Sequence, residues 1–195
     1  MQKFTIVINV FKSVVLLILV LTLSNLSVTA QDSKDLDTER IDRANILNPA
    51  FVLEYPSSKS SVFSMGMGLG YGGSFPNLST NVPSGFLYDF SPFLNLQHQW
   101  IYNRANRMEK GRTVAGNSGN FISARLFIRG PSLSSNFVRK SNIEFVVGPT
   151  WGLRRQWGEN IHFSFEFGPV YYFDFRGNQG VFPLIPYIQL GININ

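Results

Sequence analysis

Regular alternation of apolar and polar residues constrains the fold of this chain more than any other feature. From Ile161 to Phe175, apolar side chains recur at almost every second position, separated by polar or small residues. Successive side chains of a β-strand point to opposite faces, so this pattern predicts a strand with one apolar face. Eight strands are predicted in this way, the first of them poorly patterned: Arg43–Leu47, Phe51–Tyr55, Ser61–Gly72, Phe86–Asn103, Phe121–Arg129, Asn142–Trp151, Ile161–Phe175 and Tyr187–Asn195.

The composition of the polar faces indicates which face meets solvent. These faces are rich in Gly, Ser, Asn and Gln and carry few Lys or Glu residues. A face exposed to water usually carries more charge, whereas a narrow lumen favours small and hydrogen-bonding residues. Several segments also reach the 9 to 11 residues that a tilted transmembrane strand needs. The sequence therefore predicts an all-β fold, an antiparallel transmembrane β-barrel of about eight strands.

Aromatic residues gather near the predicted strand ends, which is typical of membrane barrels. Such residues form girdles at the two interfaces between the bilayer and water. We expect the girdles to include Trp100, Tyr102, Trp151, Trp157, Tyr171 and Phe173.

The N-terminus has the layout of a secretory signal. Lys3 and Lys12 provide a basic start, Val14–Leu23 is apolar apart from Thr22, and Val28–Ala30 offers small residues for cleavage. The apolar run is too short for a spanning helix. We therefore predict a cleaved signal peptide at 1–30, a flexible polar lead-in at 31–42 and the barrel domain at 43–195. Export of a barrel implies the bacterial outer membrane, with its lipid and the barrel-assembly machinery as partners.

Composition excludes several functions. The chain has no Cys, which rules out disulfides, thiol catalysis and lipidation of an N-terminal cysteine. Loss of Lys3 and Lys12 with the leader lowers the formal charge by two from +5. Basic residues between Arg104 and Arg112 lack interleaved aromatics, so we expect no nucleic-acid partner. His98 and His162 lie on opposite predicted faces, and we expect neither metal nor cofactor. Sequence alone leaves the oligomeric state open.

Short segments resemble those of a protein family. Trp100–Asn103, Arg107–Gly111, Asn117–Phe121, and Ala44–Pro49 running on to Tyr55 are similar to segments of uncharacterised small outer-membrane β-barrel proteins of Bacteroidetes-type bacteria. The resemblance implies this fold and location for most of the mature chain. It implies no active site.

Four charged residues fall on the polar faces of adjacent predicted strands: Arg125, Arg129, Glu144 and Glu166. Unpaired charges inside a barrel are costly, so we expect an ion-pair network that fills the lumen. Independent solvated charges in a wider, wet lumen are the alternative.

His162, Ser164 and Glu166 share one strand face and resemble a hydrolytic set in composition. Side chains two apart on a strand are separated by roughly 7 Å, beyond hydrogen-bond reach. We therefore expect no catalytic residues and no enzyme. The expected function is that of an integral outer-membrane barrel with a structural, adhesive or small-solute role. Two alternatives remain: an exported soluble barrel that binds an apolar ligand, and an outer-membrane enzyme that processes acyl groups.

Overall fold

Eight antiparallel strands of five or more residues form a closed ring in the computed structural model, which describes residues 37–71 and 88–194. All of these residues belong to one unit, Lys34–Asn195. A ninth strand, β6, has two residues and pairs with the start of β4. The strands are β1 (Ile41–Asn45), β2 (Ala50–Ser58), β3 (Ser61–Tyr71), β4 (Asp89–Ile101), β5 (Gly119–Arg129), β6 (Ser134–Ser135), β7 (Glu144–Trp157), β8 (Ile161–Asp174) and β9 (Gln179–Asn193).

The ring is a meander in which each long strand pairs with the next along the chain. It closes where β1 meets β9, through the pairs Arg43 with Asn193, Ala44 with Ile192, and Asn45 with Gly191. This seam is short because β1 is short. We call the end of the barrel where β1 begins and β9 ends the proximal end, and the other the distal end. The predicted all-β antiparallel ring of eight strands is confirmed.

The two faces of the wall are inverted relative to those of a water-soluble protein. Gln97 and Ser164 point inward and are 2% and 0% exposed, whereas Phe163 points outward and is 42% exposed. Large apolar side chains of the outer face are exposed on strands around the ring: Phe51, Met67, Phe90, Ile122, Ile188 and Ile192. The interior is therefore the polar side, as the composition of the two faces predicted.

Strand boundaries differ from the prediction in several places. β1 begins at Ile41, inside the predicted lead-in, and β7 continues to Trp157 rather than ending at Trp151. β9 begins at Gln179, eight residues before the predicted start, because Pro183 and Pro186 hide its alternation. The predicted signal peptide at 1–30 lies outside the described residues, as do 31–36 of the lead-in.

Two Gly-Pro pairs meet face to face between β7 and β8. The ladder between these strands is interrupted between the pairs Val147–Tyr171 and Trp151–Phe167. A Cβ built on Gly148 would lie 2.3 Å from the carbonyl oxygen of Pro169, and one built on Gly168 would lie 2.2 Å from that of Pro149. The two motifs are thus one reciprocal contact in which each proline breaks the ladder and a glycine lets the other strand approach.

A cap segment, defined as residues 104–118, follows β4 at the proximal end. It contains the helix α1 (Arg104–Glu109) and a 3₁₀ turn (Ala115–Asn117). Gly116 and Asn117 both have positive φ, at 61° and 54°, which turns the chain back into β5. None of the described helices has the length and apolar character needed to cross a membrane.

Candidate functional site: the barrel lumen

A buried charge cluster fills the proximal half of the lumen. Glu54 of β2 lies between two guanidinium groups, those of Arg43 from β1 and Arg154 from β7. Arg154 places Nη2 2.8 Å from Oε1 and Nη1 3.0 Å from Oε2 of Glu54. Arg43 makes the same two-pronged contact from the other side, at 2.5 and 3.2 Å. We call these three residues the proximal cluster; it spans the lumen because β2 and β7 lie on different sides of the ring.

Neutral groups add further hydrogen bonds to the proximal cluster. Arg154 also donates to Oε1 of Gln99 at 2.5 Å, and Arg43 donates to Oδ1 of Asn193 at 2.9 Å. Asn117 of the cap segment donates to Oε2 of Glu54 at 3.1 Å. Buried charges that are paired and hydrogen-bonded in this way avoid most of the cost of desolvation.

The cap segment closes the proximal end over this cluster. The carbonyl oxygen of Gly116 accepts a hydrogen bond from Arg43, and the amide of Gly116 donates to the carboxylate of Glu39. Arg104 donates to the carbonyl oxygens of Val114 and Asp37. Burial lowers the pKa of Arg104, while the nearby charges of Glu39 and Asp37 raise it. Residues predicted as a flexible lead-in therefore hold the cap.

A second polar layer crosses the middle of the lumen. Gln97 donates to Oγ of Ser123 at 2.7 Å and to Oε2 of Glu166 at 2.6 Å. Thr150 donates to the same carboxylate oxygen at 3.3 Å. Glu166 is therefore held by neutral donors.

A distal cluster of four charges lies at the opposite end, formed by Asp89, Arg129, Arg139 and Glu144. Arg129 contacts Asp89 at 2.5 Å and Glu144 at 3.7 Å, and Arg139 contacts Glu144 at 2.7 Å. Asp89 and Glu144 are fully buried. Two cations and two anions balance each other here.

The four charges predicted to form one network all face the lumen, but they occupy separate layers. Arg129 and Glu144 belong to the distal cluster, and Glu166 belongs to the middle layer. Arg125 donates to Oδ1 of Asn95 at 2.8 Å and lies over the ring of Tyr187, 4.1 Å from its centroid. The single network joining all four is therefore wrong in detail, because side chains at different heights along the strands cannot reach one another.

An apolar zone separates the middle layer from the distal cluster, which the prediction of a polar lumen missed. Val146, Val170 and Tyr172 form a buried group, with Phe127 and Ile185 packed against it. Beside them lies a cavity of about 650 Å³. Its lining includes Phe93, Arg125, Phe182, Tyr187 and, at the rim, Leu47 of the β1–β2 turn.

The predicted girdle residues lie on the outer face, in two groups. Trp100, Tyr102, Trp151 and Trp157 lie towards the proximal end, where Nε1 of Trp151 donates to the hydroxyl of Tyr102 at 2.8 Å. Tyr171 and Phe173 lie near the distal end, and Phe173 stacks on Phe145 with 5.1 Å between ring centroids.

The three residues that resemble a hydrolytic set point into the lumen without joining one another. Ser164 donates to Gln189 at 2.9 Å, and Glu166 is held by Gln97 and Thr150. His162 is 1% exposed, and within the described residues neither of its ring nitrogens has a hydrogen-bond partner. Among residues 37–71 and 88–194, no group of three His, Asp or Glu side chains is placed to hold a metal ion.

The sequence held a signal for the proximal cluster that the prediction did not use. Thr150, Gly152 and Arg154 continue the inward positions of β7, so extending the alternation beyond Trp151 would have placed Arg154 in the lumen. Comparison of the chain with protein families, curated proteins and solved structures finds no match. The resemblance to small Bacteroidetes-type barrels therefore stays a prediction.

Proposed function

We propose that this chain is an integral barrel of the bacterial outer membrane, with a sealed lumen and a structural or ligand-binding role rather than that of an open pore. The proposal rests on the inversion of the two faces of the wall, with apolar side chains outside and polar side chains inside. Outward Phe163 and Ile192 are 42% and 46% exposed, whereas inward Gln99 and Glu166 are each 1% exposed. A wall of this kind is stable where hydrocarbon surrounds it.

Closure of the strand ring also supports a location in the membrane. Hydrocarbon offers no hydrogen-bond partners, so a spanning sheet is stabilised where its first and last strands pair with each other. The seam between β1 and β9 supplies this closure at the proximal end, where Ile46 also donates to the carbonyl oxygen of Leu190 at 2.7 Å. The outward aromatic groups at the two ends match the positions expected for interfacial girdles.

The sealed lumen argues against a general diffusion pore. The cap segment, the proximal cluster, the middle layer and the distal cluster lie one after another along the interior. Their charged groups are held by the contacts described above, so a hydrated solute passing through would have to break buried ion pairs.

Membrane fractionation of cells that express the full chain tests the proposal. We expect the protein in the outer-membrane fraction, extracted by detergent but not by high salt or alkaline carbonate. We also expect the folded and boiled forms to migrate differently on a gel. Recovery in the soluble periplasmic fraction would contradict the proposal and favour an exported soluble barrel.

A further inference from the structure

The apolar cavity in the distal half of the lumen has the size and lining of a ligand site. Its volume of about 650 Å³ lies within the range of about 300–1,000 Å³ found for small-molecule pockets. Val170, Phe182 and Ile185 are among its apolar lining residues. These apolar side chains distinguish the cavity from the polar layers on either side of it.

One cation on the cavity wall is free to meet an anion. Arg125 donates to the neutral amide oxygen of Asn95 and covers the ring of Tyr187. Within the part of the chain that the structure describes, no carboxylate lies at ion-pair distance from Arg125, whereas Arg129 on the same strand is paired with Asp89. The cavity therefore combines a long apolar wall with a single uncompensated guanidinium, which suits an anionic head group.

Among the described residues, the barrel wall has a notch beside this cavity. Backbone hydrogen bonding of β1 with β9 ends at Ile46 and Leu190, and that of β2 with β3 ends at Pro49 and Leu69. Beyond the β1–β2 turn, described residues of β3 and β9 continue without a hydrogen-bonded strand between them. Leu47 of that turn and Ile188 of β9 line both the notch and the cavity. Inward Phe182 is 37% exposed beside this opening.

We propose that the cavity binds a single-chain amphiphile with a monoanionic head group, such as a long-chain fatty acid or an anionic lysophospholipid. The head group pairs with Arg125, and the acyl chain lies against Val170, Phe182 and Ile185 and leaves through the notch towards the surrounding hydrocarbon. This inference rests on the proposed membrane location, because the notch opens through the lipid-facing wall.

Photolabelling of the full chain in proteoliposomes tests the inference. The probes are diazirine analogues of palmitic acid, of palmitoyl lysophosphatidylglycerol and, as a neutral control, of hexadecanol. Peptide mapping gives the ratio of labelling at lumen-facing Val170, Phe182 and Ile185 to labelling at outward-facing Phe163 and Ile192. Outer labelling measures simple partition into the bilayer, so each sample contains its own reference. We expect a higher ratio for at least one anionic probe than for hexadecanol, and the preferred probe identifies the source of the ligand.

Two variants and one control test separately how the head-group contact and the apolar cavity contribute to binding. Arg125→Gln should lower the ratio for the anionic probe about ten-fold, as expected for loss of one charge-assisted contact, and leave hexadecanol unchanged. Ile185→Trp places a bulkier side chain in the cavity and should lower lumen labelling by every probe. Arg40→Gln removes an exposed guanidinium at the proximal end and should change nothing.

Each outcome decides the inference. Equal ratios for anionic and neutral probes, or an unchanged ratio in Arg125→Gln, would overturn it, as would labelling confined to the outer face. If Ile185→Trp does not give a heat-modifiable barrel, Arg125→Gln decides alone. If the protein forms a heat-modifiable membrane barrel that is labelled only on its outer face, this inference is wrong and the proposed function still stands.

Discussion

Glu54 and Arg154 are one hundred residues apart in the chain, yet they form a two-pronged ion pair across the lumen. Each is 1% exposed. Arg43 binds the opposite side of the same carboxylate, so one anion serves two cations. Strands from different sides of the ring are thereby tied together through their interior faces rather than through their ladders.

Neutralising Glu54 should destabilise the barrel strongly. In Glu54→Gln two buried guanidinium groups lose their shared counterion, and breaking a buried pair of this kind costs about 3–5 kcal/mol. We expect the free energy of unfolding, measured by urea titration of the heat-modifiable form in detergent, to fall by that amount. Glu159→Gln, in the exposed turn between β7 and β8, should leave it unchanged. Equal midpoints for the two variants would mean that the proximal cluster contributes little.

Two layers, the cap segment and the proximal cluster, should each close the lumen at its proximal end. We expect no steady current from the native barrel in planar bilayers. Replacing the cap segment, residues 104–118, with four glycines should leave β4 and β5 joined, because Tyr102 and Asn120 are hydrogen-bonded at the strand ends. This variant should still block current, because Arg43, Glu54 and Arg154 stay in place. Current should stay absent when these three residues are also changed to Ala, because the middle layer and the distal cluster still cross the lumen. Current through the native chain would contradict the sealed lumen.

The fold could be predicted from the sequence because strand alternation is a local property. Ile161–Phe175 displays its two faces within a single segment, and the structure keeps them. The start of β9 could not be found in this way, because its ladder with β8 shifts register between Gly168 and Val170 and its two prolines break the pattern. Lumen contacts were harder still, since the height of a side chain inside the ring depends on the stagger of every intervening strand.

Adding a methyl group at the contact between the Gly-Pro pairs should impair folding. In Gly168→Ala the new Cβ would lie 2.2 Å from a backbone oxygen of β7, so the strands must separate. Overpacking of this kind costs about 1–3 kcal/mol. Gly70→Ala is the control, because its new Cβ meets a side chain, Phe93, at 3.2 Å, and the nearest backbone atom, the carbonyl oxygen of Ser91, lies 3.8 Å away. The urea midpoint of the folded form should fall for Gly168→Ala and stay near the native value for Gly70→Ala. The reverse order would show that the reciprocal contact is not tight.

A charged side chain on the outer face should lower the free energy of unfolding most near the middle of a strand, because that position lies deepest in the hydrocarbon. Phe167 points outward near the centre of β8, and Phe175 follows the distal end of that strand and is 78% exposed. Phe167→Arg should lower the free energy of unfolding in lipid vesicles by about 2–4 kcal/mol, and Phe175→Arg by about 0–1 kcal/mol. Because Phe is replaced by Arg at both sites, a difference between the two variants reports the depth of the site in the bilayer and not the type of substitution. If the two variants unfold at the same urea concentration, the outward apolar face does not contact hydrocarbon. That result would contradict the proposed membrane location.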